Sequence, residues 1–173
     1  MKKILTLTIL PFSLIACSTP EKVSQFIEQA DNRAINFCED LKSISGHTVA
    51  SVKQRFGEAS QEKSETLVSP HDDSYINQRV ILQYQDGYIA IFEVPNYNRS
   101  YLEAARYTLE FKPKELNKVL GSDEAYLTKL LGESAQQSDT VISYHCDLES
   151  ENLMTFDFHE DQVVAVSLTN WID

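Results

Sequence analysis

Apolar positions along the chain follow two different periods. Val23, Phe26, Ile27, Ala30, Ala34, Phe37, Leu41 and Ile44 recur at spacings of three and four, which predicts a long amphipathic helix beginning near Thr19 and Pro20. Residues 79–94 alternate instead at period two, with Asp86-Gly87 between the two runs, and this predicts a hairpin turning at Asp86-Gly87. That register pairs Tyr84 with Ile89 and Leu82 with Ile91, placing these four toward a core and Gln83, Gln85, Tyr88 and Ala90 on the opposite face. A second hairpin is expected at Glu160-Asp161. Met154, Phe156, Phe158, Val163 and Ala165 then point inward, and Asp157, His159, Gln162 and Val164 point outward. Residues 101–111 fit both periods, since Leu102, Ala105 and Leu109 suit a helix while residues 106–111 alternate like a strand.

These segments repeat. Residues 66–73 align with 140–147, residues 50–58 with 125–133, and Gly46 with Gly121, all at a spacing of about 75. Thr48 and Asp123 stand as N-caps of two short helices, one carrying Val49, Val52 and Phe56, the other Ala125, Leu127, Leu130 and Leu131. Gly57 and Gly132 close them, because glycine adopts the left-handed backbone of a helix end without strain. The expected fold is α+β: two tandem modules, residues 23–97 and 98–173, each a helical segment packed on an antiparallel β-sheet, preceded by the amphipathic helix.

The start of the chain has its own pattern. Lys2 and Lys3 precede an apolar run over residues 4–15 that is interrupted by Pro11 and too short to span a bilayer. It ends in Leu14-Ile15-Ala16-Cys17, which resembles the lipobox of bacterial lipoproteins. The resemblance implies that residues 1–16 are a signal peptide and that Cys17 becomes the acylated, palmitate-bearing first residue, followed by a short linker over residues 17–22. Ser18 stands where an aspartate would retain such a protein at the inner membrane, so an outer-membrane anchor facing the periplasm is implied. In that compartment disulfides persist. Cys38 and Cys146 could bridge and close a loop of about 108 residues, or remain two unpaired buried thiols.

Two tandem modules of about 75 residues, each with a helix ending in Phe56-Gly57-Glu58 or Leu131-Gly132-Glu133 before an antiparallel sheet, look like the β-lactamase inhibitor protein fold. A single such module also resembles the small lipoprotein subunit of the outer-membrane protein assembly machinery. The resemblance implies a protein without chemistry of its own that binds an envelope or periplasmic protein through its sheet face and loops. Tyr75, Gln83, Gln85, Tyr88, Phe92, Asp157 and His159 would form that surface, a mixture found at interfaces and also on solvated faces.

Composition narrows the remaining options. The chain has a formal charge of −11, and two more negative charges once Lys2 and Lys3 are removed, which argues against nucleic acid and anionic headgroups as partners. No phosphate loop, dinucleotide fingerprint, nucleophile elbow or His-Glu-x-x-His motif occurs, so neither an enzyme nor a cofactor is expected. The alternative chemistry is metal binding or metal-dependent hydrolysis by His71, His145 and His159 with Asp72, Asp73, Asp147 and Glu160. Such a site needs at least three ligands to converge. Trp171 reads as a core-closing aromatic.

Overall fold

The computed structural model describes residues 20–69, 75–147 and 151–170, with the backbone alone described over residues 20–31. Cys17, His71, Asp72, Asp73 and Trp171 lie outside the described residues.

Among the described residues three α-helices, α1 (Pro20–Ser45), α2 (Val49–Phe56) and α3 (Glu124–Leu131), accompany eight strands. The strands are β1 (Gln61–Val68), β2 (Ile76–Tyr84), β3 (Gly87–Val94), β4 (Arg99–Thr108), β5 (Gln136–Gln137), β6 (Val141–His145), β7 (Leu153–His159) and β8 (Gln162–Thr169). They form one antiparallel sheet in the order β1-β2-β3-β4-β8-β7-β6-β5. The fold is therefore α+β. Two four-stranded meanders run toward each other and meet where β4 pairs with β8. Of residues 101–111, 101–108 are strand and 109–111 a bend: β4 is bonded on both edges and buries Leu102, Ala105 and Tyr107.

The helices cover one face of the sheet. Ala34, Cys38 and Leu41 of α1, Val52 of α2, and Leu127 and Leu131 of α3 share a buried cluster with Leu82, Ile89, Ile91, Tyr107, Tyr144, Phe156 and Leu168 of the strands. Thr48 caps α2 in a reciprocal box with Ser51, and Asp123 caps α3 by accepting from Tyr126 N–H at 2.8 Å. Gly57 and Gly132 end these helices with φ of 85° and 93°, where a side chain would be strained. Each terminal carbonyl then accepts from a strand tyrosine: Tyr84 donates to Gly57 O at 3.0 Å and Tyr144 to Gly132 O at 3.3 Å.

Three details depart from the expected pattern. The first hairpin turns at Gln85-Asp86, so Tyr84 faces Gly87 and Leu82 faces Ile89. The slip is two residues, which preserves the side-chain faces, and Tyr84, Leu82, Ile89 and Ile91 are buried as the alternation required. Gln85 takes the positive φ, 42°, while Gly87 begins β3 pressed against Phe111 and the Arg106 carbonyl. The second turn does fall at Glu160-Asp161, with φ of 49° and 61°. A register shift between Asp157 and Phe158 then moves Ala165 opposite Asp157, onto the face away from the helices. Of the aligned blocks 66–73 and 140–147, the described residues 66–68 lie on β1 and 141–145 on β6, strands that are not equivalent in the two meanders.

Cys38 and Cys146 form a disulfide, with Cα atoms 5.4 Å apart, that ties α1 to the residue following β6. Seven residues further along α1, Ser45 shares a buried 2.5 Å hydrogen bond with the Tyr107 hydroxyl of β4. Burial also pushes the Tyr144 phenol up to about 12, and Tyr107 is raised by the same cause. Because the folded state holds the Tyr144 proton more tightly than the unfolded chain, this contribution is complete below pH 10 and is lost as pH rises toward 12. Tyr144→Phe is expected to flatten that limb. Urea denaturation across this range measures it, and an unchanged slope would contradict the assignment.

Candidate binding face

No helix among the described residues lies over the opposite face of the sheet, which alternation assigns to the odd-numbered residues of β1 and β2 and the even-numbered residues of β3. A cleft of about 630 Å³ opens at its centre. Ala90 and Ala104, directly paired across β3 and β4, are too small to fill the space between the neighbouring larger side chains. Ile81, Gln83, Tyr88 and Phe92 line the cleft with them. The register shift between Ala90 and Ile91 adds a residue to β4 here and brings Glu103 and Ala104 together on this face.

The charged side chains named beside the cleft are paired. Arg79 donates from Nε to Glu103 at 2.8 and 2.7 Å, a second guanidinium nitrogen bonds the same carboxylate, and Glu65 lies 3.5 Å away. Lys63 and Glu65 pair at 2.5 Å, and Lys63 first, then Arg79, holds the Glu65 carboxyl below the usual carboxylate range. Arg106 reaches Asp157 at 2.7 Å and Ser167 at 3.0 Å. Three cations thus face three anions in a chain whose formal charge is −11. The cleft itself presents aromatic, aliphatic and amide groups beside the paired Arg79 and Glu103.

Of the surface residues expected from sequence, Gln83, Tyr88 and Phe92 converge in the cleft. Tyr75 instead stacks on Tyr97 at 5.7 Å, beyond the start of β2. Gln85 occupies the β2–β3 turn, Asp157 is taken up by Arg106, and His159 is exposed at the β7–β8 turn. Arg79, Glu103, Ala104, Thr169 and Asn170 complete the cleft and were not singled out by the sequence pattern. Arg79 shared an alternation with Ile81 and Gln83 that could have revealed it. The β4 and β8 residues had no local signal, since they arrive through long-range pairing.

Of the candidate histidines, His71 lies outside the described residues, and His145 and His159 do not come together. His145 ends β6 opposite Leu153, at the other end of β7 from His159, a separation of about 20 Å by strand rise. Among the described residues no group of three His, Cys, Asp or Glu side chains could hold a metal ion, and no helix is long and apolar enough to cross a membrane. No protein-family model, curated protein or solved structure matches the chain.

Proposed function

We propose that the protein is a non-enzymatic lipoprotein of the bacterial outer membrane, composed of two tandem α/β modules, that binds another envelope or periplasmic protein through the open face of its sheet. The observation that carries this reading is the cleft: a charge-balanced hollow, covered by no helix among the described residues, with Tyr88 and Phe92 on its walls. Aromatic side chains around a desolvated pocket are what protein interfaces concentrate. The duplicated architecture is supported by equivalent features about 75 residues apart, the capped helices α2 and α3 and the positive-φ pairs Gly46/Gly121 and Gly57/Gly132, and by two four-stranded meanders that meet at the β4–β8 seam. β4 continues the first meander, which favours a module boundary after Thr108 over one at residues 97/98. Lipid anchorage is supported by the residues around Cys17 and their likeness to a lipobox.

Capture from detergent-solubilised envelope tests the reading. The full chain is expected to retain a specific protein, Tyr88→Ala and Phe92→Ala to lower its recovery at least about tenfold, and Gln54→Ala on α2 to leave it unchanged. Equal loss in all three variants, or no specific partner at all, would count against the proposal. In the same cells, Cys17→Ser should abolish palmitate labelling, and persistent labelling would refute the anchor.

A further inference from the structure

β1 is bonded to β2 along its whole length and, among the described residues, to nothing on its other side. One hydrogen bond shows which main-chain groups face outward. Ser69, opposite Tyr75 in continuation of the β1–β2 register, donates its N–H to Tyr75 O at 3.0 Å. Hydrogen-bonded and non-hydrogen-bonded positions alternate along an antiparallel pair. Residues 61, 63, 65 and 67 therefore turn their main chain toward β2, and Glu62, Ser64, Thr66 and Val68 turn theirs to the open edge. All four of the latter are exposed, so the space where a further strand would lie is clear of any described element.

Charge usually guards such an edge against pairing. Here its arrangement is self-complementary. When a second β1 is laid antiparallel about a twofold axis at Ser64, Lys63 stands opposite Glu65 of the second copy, and Glu65 opposite its Lys63. Both pairs occupy the closer, non-hydrogen-bonded positions, where cross-strand partners interact most strongly. Slipping by two residues in either direction, the nearest registers that keep the hydrogen bonds, sets Glu65 against Glu65 or Lys63 against Lys63. Lys63 and Glu65 already pair within the strand, so the Ser64-centred register closes four charges of alternating sign into a ring.

We infer that β1 is a self-association edge, through which two copies of the chain pair antiparallel about Ser64 and join their sheets. The contact is isologous and forms about six main-chain hydrogen bonds, two between the Ser64 residues and two from each Glu62 to Thr66 of the other copy. Its ion pairs are exposed, so the association weakens with salt.

Oxidative cross-linking of the full chain tests this register. The two Ser64 Cα atoms would stand about 5.5 Å apart, within disulfide reach, whereas the two Glu62 Cα atoms would be separated by about 14 Å. Ser64→Cys is expected to form covalent dimer at least about tenfold faster than Glu62→Cys, and adding Lys63→Glu to Ser64→Cys should slow it at least about tenfold. An intact Cys38–Cys146 bridge, read by mass, verifies that each variant is folded. Equal rates for Ser64→Cys and Glu62→Cys, or no effect of Lys63→Glu, would overturn the proposal.

Discussion

Replacing Cys38 and Cys146 together with alanine is expected to lower stability by about 3 to 4 kcal/mol and the melting temperature by about 10 °C. The two cysteines are 108 residues apart, so their bridge restricts a long loop of the unfolded chain, an entropic effect of up to about 4.7 kcal/mol for a loop near this length. Both are buried, and alanine leaves space in a cluster shared with Leu41 and Tyr144. Loss of the bridge also leaves α1 dependent on its apolar face, the Ser45–Tyr107 hydrogen bond, and the bond from Arg33 to the Lys129 carbonyl near the end of α3. Circular-dichroism melts with and without reductant measure the effect. Coincident melts would show that the bridge contributes nothing.

Gly87→Ala is the second large effect, expected to cost about 3 kcal/mol or more. A Cβ at this position would sit 2.5 Å from the Arg106 carbonyl oxygen and collide with the Phe111 ring. Neither neighbour yields easily. The carbonyl belongs to β4 within the sheet, and Phe111 stacks on Tyr84 at 4.5 Å and packs against Phe56 at 5.3 Å. Gly57→Ala provides the contrast, since it meets nothing within 4 Å and suffers only from the backbone at φ 85° and ψ −173°, a conformation essentially reserved for glycine and worth about 1 to 3 kcal/mol. Chemical denaturation of both variants separates the two causes. A Gly87→Ala chain no less stable than Gly57→Ala would refute the steric account.

Gly87 also shows where sequence pattern stops being informative. Asp-Gly between two alternating runs announces a hairpin, and the hairpin is there, but the glycine serves a close approach by Phe111, which is 24 positions downstream in the chain. Side-chain faces survived the slip because a two-residue shift conserves parity. Tyr88, Gln83 and Phe92 were placed on the open face for that reason. Ala165 was misplaced because a bulge depends on how two strands fit each other, which alternation within one strand does not encode. Helix ends were legible, since Thr48, Gly57, Asp123 and Gly132 act through their own backbones. The cleft was only half legible: its β2 and β3 walls follow from one hairpin, whereas Glu103, Ala104 and Thr169 depend on the β3–β4 bulge and the seam between the meanders.

That seam has a consequence for biogenesis. β8 is the last of the eight strands to be synthesised, yet it lies in the interior of the sheet, between β4 and β7. Until it arrives, the two halves of the sheet have no shared hydrogen bonds, and Ala105 and Tyr107 lack the neighbours Leu168 and Val166 that cover them. A chain delivered from its N-terminus must therefore remain incompletely folded until residues 162–169 have emerged. One interrupted before residue 162 would display two unpaired inner edges, a substrate suited to quality-control proteases and to unwanted strand pairing.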